Sequence, residues 1–511
     1  MQRITSVTIP QSRPLYSVAA TRMIEHQAAA SLPAHTLMQR AGLATAKLAL
    51  ALAPHARRIW IACGPGNNGG DGFEAALHLH QWGKNVVLTW TGPSTGTPGK
   101  AALPPDAQRS YDRAVAAGVP MAEQPPADFE FCIDALLGIG AAPDPRRAGS
   151  EKILAWLAQM QASGRPCLCV DVPTGLDADT GHIQQPWSIS PAAGARFTLS
   201  LLTLKPGLFT AHGRDCAGEV WFDDLGVKAQ PSPDAWLLGE DRTLPRSRSL
   251  ALHASHKGSF GDVAVIGGES TASSHMAGAV LLAARAALAG GAGRVFVAPL
   301  GEEGQTTLTV DPVQPELMFR SLEALDLKTQ VIVCGCGGGD AVRAVLPRVL
   351  SGAPRLVLDA DALNAIAGDS QLQTLLKARH RRGYQTVLTP HPLEAARLAG
   401  VTTANVQADR LKVAAQLAET FGAVVVLKGS GSVIASPGQT SCLNPTGNAL
   451  LATAGTGDVL AGMAGAAMAG GQQAFEAACS AVFAHGRLAD DWLAQRPHNK
   501  LTASKLLLLI Q

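Results

Sequence analysis

Two doubly wound, three-layer α/β domains in series are what this sequence predicts, on three observations. Short apolar runs of strand length alternate with helix-length segments in both halves of the chain, the pattern of parallel βαβ units. Two glycine-rich clusters, Cys63 to Gly72 and Thr453 to Asp458, each open onto a helix-like stretch. Between them the chain turns polar and proline-bearing, with Pro231, Pro233 and Pro245 and a run of serine and arginine, which reads as an interdomain linker. The expected division is 1–228, a linker over 229–257, and 258–511, because 511 residues exceed what one core holds.

In the first half, Tyr16 to Ala30 and Thr36 to Leu52 are helix-like, the second with Leu37, Met38, Ala41, Leu48 and Leu52 on one face. The run Arg58 to Ala62 is a strand. It feeds Cys63-Gly64-Pro65-Gly66-Asn67-Asn68-Gly69-Gly70-Asp71-Gly72, and a helix is expected from Phe73 to Trp82. Glycines at this density allow close backbone approach, while two asparagines and an aspartate supply donors and acceptors. The terminal Lys-Ser/Thr pair of a Walker loop is missing. A Pro/Gly/Thr-rich loop spans Thr91 to Pro105. Strand Phe129 to Ile133 then leads to Asp134, and strand Cys167 to Val170 leads to Asp171-Val172-Pro173-Thr174. If these strands are parallel neighbours of the first, Asn68, Asp134 and Thr174 converge as an all-oxygen set that suits a hard, monovalent cation. Capping of the following helices is the plainer role for the same aspartates. Phe197 to Leu204 and Glu219 to Phe222 read as closing strands.

The second half opens with strand Val263 to Ile266 and Gly267-Gly268, helix Met276 to Leu288 and strand Arg294 to Val297. Strand Val331 to Val333 leads into Gly335-Cys336-Gly337-Gly338-Gly339-Asp340, and strand Leu356 to Leu358 ends in Asp359-Ala360-Asp361. Val387-Leu388-Thr389 runs into Pro390-His391-Pro392, where the second proline can open a helix whose first turn carries Glu394. The buried-strand run Val424 to Leu427 ends in Lys428-Gly429-Ser430-Gly431-Ser432, a composition that suits a nucleotide phosphate. Finally, Thr453-Ala454-Gly455-Thr456-Gly457-Asp458 feeds the small-residue helix Val459 to Ala469. Free N–H groups at such a helix start favour an anion. An aspartate there can orient or deprotonate a hydroxyl that attacks the phosphate, or simply cap the helix. Strand carboxyl ends face the ligand crevice in open α/β sheets, so these polar tips point to one site.

Net charge is +2, 16% of residues are charged and 5% are aromatic, with no lysine- or arginine-rich tract. Nucleic acid and anionic membrane surfaces are therefore not expected partners. Nine cysteines lie mostly in apolar runs without zinc-knuckle spacing, which fits a reduced cytoplasmic interior. The stretches Met276 to Ala292 and Val459 to Gly470 are alanine- and glycine-rich and read as core helices rather than membrane spans. Leu506 to Ile510 is an apolar tail expected to dock on the second domain. Apolar residues of the Tyr16 to Leu52 helices suggest pairing of subunits into a homo-oligomer.

With these residues in view, the chain resembles the bifunctional NAD(P)H-hydrate repair enzymes over nearly its full length. The first half resembles the NAD(P)HX epimerase domain, of Rossmann-like fold, through Asn67 to Gly72, Asp134 and its glycine-bearing loop, Asp171 to Thr174 and Lys205-Pro206-Gly207-Leu208. The second resembles the ADP/ATP-dependent NAD(P)HX dehydratase domain, of ribokinase-like fold, through Gly258 to Gly268, Gly290 to Gly293, Thr389 to Glu394, Lys428 to Ser432 and Asn444 to Asp458. The resemblance implies NADHX and NADPHX as substrates, ADP or ATP as co-substrate, and K+ and Mg2+ as ions.

Carried over by position, Asn67, Asn68, Gly69, Gly70 and Asp71, the loop Gly138, Ile139, Gly140, Ala141, Ala142, Pro143 and Asp144, and Asp171 would hold the hydrated nucleotide in the first domain. Asn68, Asp134 and Thr174 would bind potassium. In the second, Ala279, Gly337, His391 and Asp458 would contact NAD(P)HX, while Lys428, Gly429, Ser430, Gly431, Ser432 and Gly457 would hold the adenine nucleotide. The family usually has Gly-Pro-Gly-Leu-Gly where this chain has Gly335 to Gly339, and the lost proline implies a looser loop. The implied catalytic residues are Asp458 for phosphoryl transfer to the C6 hydroxyl and Asp171, or else Asp71, for proton handling in epimerisation. Two other readings fit parts of the pattern: a ribokinase-like small-molecule kinase with an N-terminal regulatory domain, and an N-terminal half that is a binding module.

Overall fold

The computed structural model describes residues 1–4, 10–92, 103–140, 146, 149–183, 187, 194–229, 231–243, 253–301 and 309–510. Two compact units emerge, Met1–Thr8 with Pro14–Ala235, and Ile9–Arg13 with Trp236–Gln511. The division at Ala235 falls inside the stretch 229–257.

The first unit is built on an eight-stranded sheet in the spatial order Gln2–Ile4, Glu219–Asp223, Arg196–Leu201, Cys167–Val170, Phe131–Ala135, Arg58–Cys63, Asn85–Trp90 and Met121–Ala122. All neighbours run parallel except Gln2–Ile4 against Glu219–Asp223. Period-two alternation sorts the strand residues onto two faces. Ile59, Ile61, Phe131 and Ile133 pack with the helices Val18–Ser31, Thr36–Leu52 and Asn67–Gln81. Trp60, Ala62 and Cys132 pack on the other side against Ile153, Trp156 and Leu157 of helix Ser150–Ala162. Both faces are thus covered, which is why these strands read as continuous apolar runs. Each large apolar side chain buried in such a core contributes about 1.5–3 kcal/mol.

The second unit's sheet runs Met318–Phe319, Arg294–Gly301, Asp262–Ser270, Val331–Cys334, Arg355–Leu358, Gln385–Leu388, Val424–Leu427, Val433–Ala435 and Ser441–Leu443. It is parallel up to Val424–Leu427 and antiparallel through the last two strands. Val263, Val265, Val331, Val333, Val357 and Val387 face a core shared with helices Ala277–Ala289, Thr456–Ala469 and Ala474–Gln495. The apolar tail docks here as expected, with Leu506 and Leu507 in that core. Among the described residues no helix is long and apolar enough to cross a membrane.

Two helices begin earlier than the sequence suggests. The first starts at Asn67 rather than Phe73, and the other at Thr456 rather than Val459. Glycine lowers intrinsic helicity, but packing of the first turn against the neighbouring loop overrides it. At Gly69 the approach is so close that a Cβ would fall 2.1 Å from the Gly64 carbonyl oxygen.

Candidate active sites

The first site sits at the carboxyl ends of the central strands of the first unit. Gly66, in extended conformation, precedes helix Asn67–Gln81 and gives its first turn no side-chain cap, so these N–H groups stay available to an anion. A cavity of about 940 Å3 opens there, bordered by Asn67, Asn68, Asp71, Gly138, Ile139, Gly140 and Asp171. Gly69 and Gly70 pack behind it, Gly69 on Gly64 and Gly70 on Met38 and Ala107. Ala141, Ala142, Pro143 and Asp144 lie outside the described residues. Four further charged residues border the same cavity, Arg22, Glu25, Asp106 and Lys205, and sequence reasoning assigned a role to none of them.

Asp171 ends its strand in left-handed backbone, φ 65°, a conformation that costs a residue with a side chain and clusters at functional sites. Its N–H donates to Leu199 O (2.8 Å), and its carboxylate accepts from Leu201 N (3.1 Å) and the Lys205 ammonium. Lys205 is fully buried and also donates to Leu201 O (2.6 Å). Burial, then the charges of Asp171 and Glu25, push the Asp71 carboxyl well above its usual range. Burial and Asp171 likewise raise Glu25. The cavity therefore carries an ion-paired carboxylate, Asp171, and a neighbouring carboxyl, Asp71, whose proton affinity burial and like charge raise.

Beside it, Asp134 is 1% exposed and accepts from Thr174 Oγ1 (2.7 Å), Thr174 N (3.1 Å) and Leu136 N (3.2 Å). Thr174 Oγ1 also accepts from Leu137 N (3.0 Å). Asn68 stands against the same loop, since a Cβ on Gly138 would lie 3.1 Å from Asn68 Oδ1. The Asn68 amide is buried and its Nδ2 has no hydrogen-bond partner. An amide's nitrogen and oxygen exchange places on a flip of the side chain, which would leave an unpartnered oxygen there. Burial raises the Asp134 carboxyl despite its hydrogen bonds. A buried, incompletely compensated carboxylate with hydroxyl and amide oxygens fits a cation.

The second site lies at the carboxyl ends of the second sheet. Gly455, φ 87°, turns the chain into helix Thr456–Ala469 without a side-chain cap. A Cβ on Gly457 would lie 3.3 Å from Lys428 Nζ and 3.7 Å from Asp359 Oδ2, so the bare glycine lets the helix start meet the lysine. Lys428 Nζ donates to Asp359 Oδ1 (2.7 Å), as does Thr389 Oγ1 (2.8 Å). Burial opposes the Lys428 charge, but Asp359 and Glu394 outweigh it and raise its pKa. Burial first, then Asp359, pushes Asp458 up to about 7. Asp458, Asp359 and Cys336 bring ligating atoms within 4.8 Å of one another.

His391 caps helix Pro392–Ala399: its Nδ1 accepts from Leu393 N (3.1 Å) and Glu394 N (3.2 Å), and its own N–H donates to Glu394 Oε2 (2.7 Å). Nε2 stands 3.2 Å from Glu394 Oε1. Burial and Lys428 lower the His391 pKa, in keeping with an Nδ1 that accepts two hydrogen bonds. Burial likewise lifts Glu394 to about 7. Gly337 meets Ala279, a Cβ on it falling 2.9 Å from Ala279 Cβ. The Gly335 to Gly339 loop is not loose. Gly268 N donates to Cys336 O (3.0 Å), Glu269 N to Gly337 O (2.7 Å) and Gly339 N to Asp361 Oδ2 (2.9 Å). These backbone bonds supply the restraint that proline would have given.

The phosphate-type loop Lys428 to Ser432 is closed by Ser432 Oγ donating to Gly429 O (3.2 Å) and is propped from below by Arg410, which donates to Leu427 O (3.1 Å) and Lys428 O (3.2 Å). Asp359, Glu394, Arg410 and Cys336 are the residues of this site that sequence reasoning left without a role. Asp359 carried a signal as a strand-terminal carboxylate, whereas Arg410 sits on a helix whose pattern gives none.

A family model described as NAD(P)H-hydrate dehydratase matches residues 263–511, and one described as YjeF-related protein N-terminus matches 34–207. The bifunctional NAD(P)H-hydrate repair enzyme Nnr of Escherichia coli is 34% identical over 498 residues, covering 94% of this chain and 89% of that protein. The protein of the same name from Coxiella burnetii is 34% identical, covering 93% and 94% respectively. The ADP-dependent (S)-NAD(P)H-hydrate dehydratase of Neisseria meningitidis is 43% identical over 245 residues, 46% of this chain and 78% of that protein. Two sites on two units, with similarity that spans both, lead to one statement: the chain belongs to the bifunctional NAD(P)H-hydrate repair enzymes.

Proposed function

We propose that the two sites act in sequence on hydrated nicotinamide dinucleotides, the first exchanging configuration at C6 of NADHX or NADPHX and the second dehydrating the S epimer to NADH or NADPH. In the first, expulsion of the C6 hydroxyl by the ring nitrogen needs a proton donor, and readdition of water needs an acceptor. Asp71, whose proton affinity is raised by burial and by Asp171, donates; Asp171, ion-paired with Lys205, accepts, both at the cavity wall. Asn68, Asp134 and Thr174 would hold K+, which would offset the buried carboxylate, while Thr174 accepts from Leu137 N and so ties down the loop that carries Gly138.

In the second site, the terminal phosphoryl group of ADP or ATP moves to the C6 oxygen, and Asp458 takes the hydroxyl proton. The phosphoanhydride bond breaks, releasing AMP or ADP. The ring nitrogen then expels phosphate, and loss of a C5 proton restores the double bond. Lys428, the N–H groups of Gly457 and its neighbours, and the Lys428 to Ser432 loop receive the phosphates. Mg2+, when bound with the nucleotide, neutralises phosphate oxygens. Cytoplasmic location accords with nine free, buried thiols. Assembly as a homo-oligomer, using the helix face that presents Met23 (56% exposed), belongs to the same reading.

The observation that carries this reading is the meeting of Gly457, Lys428, Asp359 and Asp458 at one helix start. Asp458→Asn should lower dehydration by about 10²–10⁴-fold while epimerisation continues. Dehydration at the normal rate in that variant would overturn the assignment.

A further inference from the structure

The thiol of Cys336 lies against the carboxylate on which the proposed dehydration depends, and nothing in the reaction itself calls for sulfur. The backbone holds this residue from both sides. Gly335 N donates to Ile266 O (3.0 Å), Gly268 N donates to Cys336 O (3.0 Å), and Glu269 N donates to Gly337 O (2.7 Å). Space allows no alternative path, since a Cβ on Gly267 would fall 2.2 Å from Cys336 O and one on Gly335 would fall 2.1 Å from Asp359 O. Cys336 is 0% exposed. Its Sγ, an oxygen of Asp359 and an oxygen of Asp458 lie mutually within 4.8 Å.

A cation would be one way to reconcile three such groups. That position is already compensated, because Lys428 Nζ stands 2.7 Å from Asp359 Oδ1. Asp359 also accepts from Thr389 Oγ1 at 2.8 Å. Asp458, by contrast, projects from a helix start that has no side-chain cap, and the thiol is the neutral donor beside it.

We infer that Cys336 is a positioning residue: its S–H donates to the Asp458 carboxylate, fixing the rotamer that faces the substrate hydroxyl and favouring the charged form. Burial and the neighbouring carboxylates push the Cys336 thiol well above its ordinary range, so it remains a donor throughout the working pH range. A thiol is a weak donor, and a hydrogen bond to the charged form of an acid lowers its pKa. The donor's removal therefore moves the acid limb of dehydration to higher pH. This inference rests on Asp458 being the base.

The test compares Cys336→Ala and Cys336→Ser in the full chain, with pH profiles of dehydration and the thermal melting of the second unit in the same preparations as a measure of folding. The alanine variant is expected to lose about three- to tenfold in kcat near neutral pH, with the acid limb displaced upward and KM for ADP unchanged. Serine, which keeps a donor, is expected to retain a limb close to that of the parent. An alanine variant with the parental limb and kcat, or serine and alanine variants displaced equally, would overturn the inference. Asp458→Asn run alongside separates the two claims: full dehydration in that variant removes the base, whereas its inactivity together with a parental alanine profile removes only the role of Cys336.

Discussion

Asp458 in the second site and Asp71 in the first are both carboxyl groups raised by burial and by like charge, Asp458 to about 7. With a value of about 7 against an ordinary 3.8, a base at this position loses rate as pH falls through about 7. The same shift has an opposite effect on stability. Between about 4 and 7 the folded chain keeps a proton that the unfolded chain releases, so this group's stabilisation is complete at low pH and is lost as pH rises. Asp458→Asn should therefore melt about 2–4 °C above the parent near pH 8, with the gain shrinking toward pH 5; an equal gain at both values, or none, would contradict the burial argument. The placement of Asp134, Asp171, Lys428 and Asp458 at the two sites was legible residue by residue, because they stand at ends of runs whose pattern announces strands or a helix. Lys205, Glu25 and Arg410 were not. Lys205 follows a strand and Glu25 and Arg410 lie on helices where a charge normally means solvent, and only the fold turns Lys205 and Arg410 inward and sets Glu25 at the cavity.

At the scale of elements, the helix starts shape both candidate sites. Sequence propensity places glycine-rich segments outside helices, yet both Asn67–Gln81 and Thr456–Ala469 include theirs, because a missing side chain is what lets strand, loop and helix meet. His391 shows the reverse economy: one ring caps helix Pro392–Ala399 through Nδ1 and keeps Nε2 beside Glu394. Gly457 allows a direct test. It is helical, so alanine there improves intrinsic helicity by about 1 kcal/mol, while its Cβ would crowd the Lys428 ammonium at 3.3 Å. Gly457→Ala should hold or raise Tm and raise KM for ADP and ATP about tenfold or more, leaving epimerisation intact. Unchanged nucleotide kinetics would show that this helix start does not receive phosphate.

For the whole molecule, the parallel portions of the two sheets were foreseeable from strand-and-helix alternation, whereas the strand order was not: Cys167–Val170 neighbours Phe131–Ala135 and not Arg58–Cys63. The antiparallel edge Gln2–Ile4 was not foreseeable either, since three residues carry too little periodicity to declare a strand. Both units use the same device, a bare helix start at strand carboxyl ends, which in the proposed function receives the hydrated dinucleotide in the first unit and the phosphates of ADP or ATP in the second. Their roles separate by epimer. The most direct measurement follows NADH recovered from an R and S mixture of NADHX with excess ADP, comparing the parent chain with Asp171→Asn. Complete recovery is expected from the parent, and from the variant a fast recovery of the S share followed by a rate limited to spontaneous epimerisation, with addition of Asp458→Asn protein restoring completion. Recovery of both epimers by Asp171→Asn at the parental rate would contradict that expectation.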